Sequence, residues 1–295
     1  MVAVGARAYR DQVTGVSEGA RGLPDPRLRP YVLSYEGYLL RGFAPGTHVG
    51  MPATTLTMLV TIDEPVDVPV SSHPEQAGGR WDMLASGLTV RPALVAHDGF
   101  QHGIQLGLTP RGARALLGVP TAALGSWVVD LGDLLGARAV ELRDRISATP
   151  AWSERFAVLD DILLREVRPV PWADELTRAW DLLSGPGPWV RVGDVAADIG
   201  WSRRHLVNRF TAEFGISPKD AARIARFERS HRLLRLPDVP ALAEVAARTG
   251  YYDQAHMARE WREFAGLPPS VWREREVFPF VQDQLPYAAG SSSHD

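Results

Sequence analysis

Two stretches near the C-terminal end of this 295-residue chain repeat one pattern, and that duplication constrains the fold more than any other feature. The first is Val195-Ala196-Ala197-Asp198-Ile199-Gly200, followed by a helix that begins near Ser202 and runs through Leu206 and Phe210 to Gly215. The second is Val245-Ala246-Ala247-Arg248-Thr249-Gly250, followed by a helix through Met257 and Trp261 to Gly266. Each reads as a short helix, a glycine turn and a second amphipathic helix. The leading helices match at an offset of 50 residues and the trailing ones at 51, so the second turn holds one more residue. Two such units in tandem predict a protein that binds double-stranded DNA.

The chain is long enough for two domains of ordinary size, and its 45% hydrophobic content can supply a core for each. It contains no cysteine, which excludes disulfides, thiolate zinc sites and cysteine nucleophiles, and which fits a cytoplasmic protein. Met1 to Asp11 carries no long apolar core, so no secretory signal is expected. No apolar run approaches the roughly 20 residues of a membrane helix, and no membrane partner is expected. The net charge of −3 is unevenly divided. Between Trp189 and Glu276 stand 15 Arg or Lys and 12 Asp or Glu, a balance of +3 that leaves −6 for the remainder. Every basic residue but Lys219 is arginine, whose planar fork suits phosphate and guanine alike. A GC-rich coding bias also raises arginine, so the charge division supports the DNA reading without carrying it.

Residues 1–23 are polar, glycine-containing and aperiodic, the pattern of a flexible arm. From Tyr31 to Arg111, short β-rich runs alternate with Pro, Gly, Asp and Ser. They are Tyr31–Leu40, Thr54–Ile62, Val66–Val70, Gly87–Val90 and Gly103–Leu108, and they predict a small antiparallel barrel or sandwich. Thr109-Pro110 is a cap and a first-turn proline ahead of a helix over Arg111–Leu117, and Thr149-Pro150 repeats the device ahead of Trp152–Val167. On the latter helix Trp152, Phe156, Leu159, Leu163 and Val167 form one apolar stripe, with Glu154, Arg155, Asp160, Asp161 and Arg165 mostly away from it. Such a stripe either pairs two copies of the chain or packs on the β region. Pro169 and Pro171 mark a boundary. The expected domains are a sensor or dimerisation domain over 24–168, the DNA-binding domain over 172–276 and a C-terminal tail over 277–295. A helix through Trp172, Leu176, Ala179 or Trp180, and Leu183 ends at Gly185-Pro186-Gly187-Pro188 and buttresses the first head. A longer one, opened by Ser217-Pro218 and carrying Ile224, Phe227, His231, Leu234 and Leu236, joins the heads. The expected class is α+β: mainly antiparallel β with trailing helices, then an all-α domain of two helix-turn-helix subdomains joined by a long helix.

A recognition helix buries one face against its own domain and offers the other to the major groove. In the first head Leu206, Phe210 and Phe214 recur every fourth residue and form the buried stripe. The opposite face offers Arg203, Arg204, Val207 and Asn208 near the helix start, where base contacts fall. Arginine pairs with guanine, asparagine with adenine, and valine packs on a thymine methyl. Ser202 is the cap, beside amides that can also face a phosphate. In the second head Met257 and Trp261 take the places of Leu206 and Phe210, Asp253 is the cap, and Gln254, Ala255, Ala258 and Arg259 are exposed. His205 and His256 align relative to the closing glycine, and each is a DNA contact of its head or a partly buried residue that hydrogen-bonds within the domain or touches a phosphate. In the second head Gln254, His256 and Arg259 are the expected reading residues. Arg209, Lys219, Arg223 and Arg262 are candidates for a phosphate clamp by charge and position.

Residues 172–275 resemble the DNA-binding domain of the AraC/XylS family of bacterial transcription regulators. The resemblance rests on Gly200-Trp201-Ser202, Leu206, Phe210 and Phe214-Gly215-Ile216-Ser217-Pro218 in the first repeat. In the second it rests on Ala246, Gly250-Tyr251-Tyr252-Asp253-Gln254-Ala255-His256, Trp261, Gly266-Leu267-Pro268-Pro269 and Trp272-Arg273. Trp261 and Trp272 stand where such proteins usually carry Phe and Tyr. The resemblance implies seven helices, the long one linking heads that enter successive major-groove segments on one face of DNA. It implies an N-terminal domain that senses a small-molecule effector or mediates homodimerisation, and RNA polymerase as a partner if the protein activates. The N-terminal half, in its order of β then helix, is similar to the cupin-like barrels of many members. The segment from Gly103 to Thr109-Pro110, with Leu116-Leu117-Gly118-Val119-Pro120, is similar to sensor domains of actinobacterial-type relatives.

Three other readings compete. A metal-dependent cupin enzyme fused to a DNA-binding tail would use His48, His73, His97 and His102. Their spacing lacks the pair of histidines one residue apart that a cupin metal site usually has, so no metal or cofactor is expected and the protein is not read as an enzyme. A methyl-acceptor repair protein needs a cysteine that this chain lacks. A regulator without a small ligand, whose N-terminal half only dimerises or binds a protein, stays open. Within a sensor, the ligand would sit inside the barrel among Tyr35, Tyr38, Phe43, Trp81 and Phe100, which ordinary core packing explains equally well.

Overall fold

Turn residues cut the N-terminal half into short strands, and each strand finds its partners far away in sequence. The computed structural model describes residues 15–168, 170–185 and 190–275. Ten strands run in order: β1 (Val16–Gly22), β2 (Val32–Arg41), β3 (Gly46–Gly50), β4 (Leu56–Thr61), β5 (Val66–Val70), β6 (Ala77–Trp81), β7 (Met83–Ser86), β8 (Ala93–His97), β9 (Gln101–Leu108) and β10 (Val128–Asp130). They form a six-stranded sheet, β1-β2-β9-β4-β7-β10, and a four-stranded sheet, β3-β8-β5-β6. Every pairing is antiparallel.

The alternation of side chains explains why the larger sheet is buried on both faces. Leu56, Met58 and Val60 of β4 join Ile104, Leu106 and Leu108 of β9 on the face that meets the helices. Leu59 points the other way. It packs with Tyr38, Leu40, Val66, Val68, Leu84 and Val128 in a core shared by the two sheets.

Helices α1 (Pro110–Leu117), α2 (Thr121–Leu124), α3 (Leu131–Leu135), α4 (Ala137–Ala148) and α5 (Trp152–Glu166) complete this half. The Thr109 hydroxyl caps α1 by accepting the Gly112 amide at 3.0 Å. The apolar stripe of α5 is spent on the chain's own sheet: Phe156 lies 5.6 Å from Tyr35, ring centre to ring centre. Trp152 presses so closely on β2 that a Cβ at Gly37 would fall 2.4 Å from its ring.

Seven helices follow: α6 (Asp174–Ser184), α7 (Val192–Asp198), α8 (Arg203–Phe214), α9 (Pro218–Leu234), α10 (Leu242–Thr249), α11 (Gln254–Ala265) and α12 (Pro269–Arg275). Their number among the described residues and the long link α9 match the expectation. Trp180 of α6 packs on Phe210 and Phe214 at 5.8 and 4.6 Å, as a buttress for the first head.

The structure corrects several expectations. Residues 16–22, placed in the flexible arm, are a strand paired along its whole length with β2. Residues 1–14 of that arm, the tail 277–295, Pro169 and residues 186–189 lie outside the described residues. Gly87–Val90 is not a strand; pairing stops at Ser86, where Gly87 passes so near the backbone that a Cβ would meet the Gly125 carbonyl at 2.1 Å. Thr149 does not cap α5. Its hydroxyl donates to the Arg145 carbonyl at 2.8 Å and so finishes α4. Arg155 is buried rather than turned away, giving its guanidinium to the Thr149 carbonyl at 2.6 Å and stacking on Trp152. Leu236 lies beyond α9 and is exposed.

Candidate nucleic-acid interface

The two heads share more than a sequence pattern. In the first, the Trp201 amide donates to the Ala196 carbonyl at 2.8 Å; in the second, the Tyr251 amide donates to Ala246 at 2.9 Å. The Ser202 side chain accepts the His205 amide at 3.2 Å, and Asp253 accepts the His256 amide at 2.6 Å. Each cap satisfies an amide that the first helical turn leaves open. The turn aromatic then meets the third helical residue edge-on in both heads, Trp201 on His205 at 4.6 Å and Tyr251 on His256 at 5.3 Å.

Below each recognition helix the apolar stripe is completely buried: Leu206, Phe210 and Phe214 under α8, Met257, Trp261 and Phe264 under α11. The Trp261 indole N–H, which burial would otherwise orphan, donates to Ser230 Oγ at 2.8 Å. Phe227 of α9 lies 4.9 Å from Trp261 and 5.3 Å from Phe264.

The opposite faces are open. Ser202, Arg203, Arg204, His205, Asn208, Arg209 and Lys219 are exposed, with Val207 half-buried among them. On the second head Gln254, Ala255, Arg259 and Arg262 are exposed, while His256 and Ala258 are half-buried. Arg203, Arg204, Arg209, Lys219 and Arg259 enter no ion pair among the described residues. Arg262 touches only the Ala258 carbonyl of its own helix, at 3.4 Å. A chain of negative net charge thus carries exposed, unneutralised arginines on the open faces of both helices, with Lys219 at the start of α9 beside the first.

Arg223 does not belong to that set. It donates to Glu260 at 2.9 Å, to Asp220 at 3.3 Å and to Glu263, and its guanidinium lies over the Phe264 ring. The neighbouring Arg226 donates to Glu260 at 2.6 Å, both side chains being buried. These arginines fasten α9 to α11, so Arg223 is already engaged by carboxylates.

The candidate ligand residues of the β half are dispersed. Tyr35 faces α5 and donates its hydroxyl to Asp160 at 2.8 Å, so it lines neither barrel cavity. Tyr38 borders a cavity of about 120 Å³ between the sheets and, with Phe100, one of about 360 Å³ at the sheet edge. Phe43 and Trp81 pack at the rim of the inter-sheet core. The histidines are dispersed too. His48 and His97 have rings 5.9 Å apart, His73 stacks on Trp127, and His102 sits between Asp63 and Arg155. Among the described residues no three or more metal-ligating side chains gather.

A cavity of about 450 Å³ lies where the halves meet. Met51, Pro52 and Thr54 form one wall and Trp172, Trp180 and Phe214 another, with Glu228 and His231 of α9 at its side. Beside it the Thr54 amide and hydroxyl donate to the two Glu228 carboxylate oxygens at 3.0 and 2.6 Å, and burial holds the Glu228 pKa above its usual range. The sequence reading missed this junction, because Thr54 and Glu228 lie 174 residues apart and neither belongs to a local motif.

Residues 195–275 match the family described as "Helix-turn-helix domain". A curated relative, the uncharacterized HTH-type transcriptional regulator YbfI of Bacillus subtilis, is 34% identical over 68 residues, which is 23% of this chain and 24% of that protein. The matching stretch therefore spans about a quarter of the curated relative. Among solved structures, an apo form of a ToxT variant from Vibrio cholerae aligns at 9% identity and a TM-score of 0.50, covering 81% of this chain and 96% of that one. A probable AraC family transcriptional regulator from Rhodopseudomonas palustris aligns at 23% identity with a TM-score of 0.31, covering 36% of this chain and 100% of its own. The segment 195–275 of this chain is an AraC-type helix-turn-helix domain, set behind an N-terminal half of antiparallel β-structure.

Proposed function

We propose that this protein is a sequence-specific DNA-binding transcription regulator of the cytoplasm whose two heads enter successive major-groove segments. The observation that carries the reading is the repeated construction of the heads: the same backbone bond, the same cap and a buried stripe beneath, with unneutralised arginines above. Arg203, Arg204 and Asn208 read bases for the first head, and Gln254, His256 and Arg259 for the second. Arg209, Lys219 and Arg262 contact phosphates. Affinity falls steeply with salt, since each neutralised phosphate releases a counterion.

A small ligand modulates this activity through the N-terminal half. The junction supports that part of the reading, because a cavity of about 450 Å³ touches Phe214 at the end of one recognition helix and α9 between the heads. A ligand there would contact both halves at once and so bias their arrangement. The runner-up is a regulator whose N-terminal half only pairs with a second copy or a protein.

A footprint of the full-length protein on the DNA upstream of its own gene, against a scrambled duplex, tests the proposal. Protection of two adjacent major-groove segments about one helical turn apart is expected. If neither the wild-type protein nor Arg114→Ala, which removes the Arg114–Glu213 ion pair between the halves, protects any segment at low salt, the reading fails.

A further inference from the structure

The two heads differ by one residue, and the hydrogen bonds identify which. Trp201 and Tyr251 make the same bond to the carbonyl five residues earlier, so the chains are still in step there. The caps that follow are Ser202 in the first head and Asp253 in the second. The extra residue is therefore Tyr252. It takes no part in the packing that its neighbours share. Tyr251 is buried and meets His256 edge-on, as Trp201 meets His205, while the Tyr252 side chain is 93% exposed. Its backbone N–H, by contrast, is held by His256 Nδ1 at 3.4 Å, so the residue is anchored at the main chain and bare beyond it.

Its place decides what such a side chain can meet. The turn between the helices of a head lies at the rim of the major groove, because the second helix enters the groove while the first crosses the backbone. A phenol at that rim presents a hydroxyl donor to phosphate oxygens and a flat ring to the sugar, and tyrosine is among the side chains that position proteins on DNA in this way. The cations nearest in sequence on the same helix, Arg259 and Arg262, begin two turns further along it. The start of the second recognition helix thus has no cation of its own, whereas the first begins with Arg203 and Arg204.

We infer that Tyr252 is a phosphate contact of the second head, its hydroxyl donating to a backbone oxygen of the DNA strand beside the start of α11. The inference rests on the proposed DNA-binding function. Tyr252 then sets the register of the second head without reading sequence. Because the phenol is neutral, it adds affinity without releasing a counterion.

The test uses the full-length protein and a duplex that it selects from a random-sequence pool, with a shuffled duplex beside it. Tyr252→Phe removes the hydroxyl alone, and Tyr252→Ala removes the ring as well. Tyr252→Phe is expected to weaken both duplexes by about five- to tenfold, the worth of one hydrogen bond. The ratio between duplexes and the slope of affinity against salt should stay unchanged, and so should Tm. Phe and Ala variants that bind like the wild type overturn the inference. So does a loss confined to the selected duplex, which would make Tyr252 a base reader. If the wild-type protein selects no duplex, the DNA-binding proposal itself falls, and the inference with it.

Discussion

Arg114 grips Glu213 across the two halves of the chain with a pair of hydrogen bonds, Nε at 2.6 Å and Nη2 at 2.7 Å from the carboxylate oxygens. Glu213 is on α8 of the first head, so this clasp connects the β half directly to the helix proposed to read DNA. The bidentate geometry is favourable, but the arginine is about a third exposed, and water screens part of the attraction. A double-mutant cycle of Arg114→Ala and Glu213→Ala is expected to give a coupling of about 1 kcal/mol in urea unfolding. Zero coupling would mean that the halves are not clasped there in solution.

Arg204→Ala should cost about 1–3 kcal/mol of binding and relax discrimination at one base position. Lys219→Ala should instead weaken all sequences alike and reduce the salt slope by about 1. Titrations against a panel of single-base variants separate the two. If Arg204→Ala weakens every member equally, it is a phosphate contact.

Glu260 is the acceptor for two arginines, and its pair with Arg226 is buried. Removing it strands a guanidinium in the core between α9 and α11. Glu260→Ala is expected to lower stability by about 3–5 kcal/mol, the cost of an uncompensated buried charge. Urea denaturation checks this. A loss below about 1 kcal/mol would show that water reaches Arg226.

Burial, with repulsion from His97 added, pulls the His48 pKa from its ordinary 6.5 down to about 3. The unfolded chain therefore takes up a proton at His48 at a pH where the folded one does not. Its contribution to stability is complete above about pH 6.5 and is lost as the pH falls from there toward 3. His48→Gln removes that proton uptake. Below pH 6 the wild-type protein should lose stability faster than the variant, by about 1.4 kcal/mol per pH unit. Parallel unfolding curves from pH 6.5 to 4.5 would show that the ring protonates in the fold.

What the sequence made legible follows from range. The heads could be read because a cap, a glycine turn and a four-residue spacing are local signals. Each determines its helix without help from distant residues. Strand β1 could not, since Ser17 and Glu18 become strand residues only by meeting Leu40 and Leu39. The partners of Arg223 were hidden for the same reason: the chain shows a cation on a helix, and the carboxylate of Glu260 that it meets lies 37 residues on. Tyr35 carried a plausible aromatic signal, but its partner Asp160 is 125 residues away.

Helix α9 is one unbroken span, with Phe227 wedged among the core rings of the second head and its N-terminal end carrying the turn out of the first. Under the proposed function, such a link makes the molecule a fixed caliper on DNA. On a duplex of about 10.5 base pairs per turn, each inserted pair swings one half of a site about 34° around the axis. A promoter recognised by such a protein could drift in its letters and keep a weakened regulator, yet a single insertion between its two segments would turn one of them out of reach. Selection on these promoters would guard spacing more strictly than sequence.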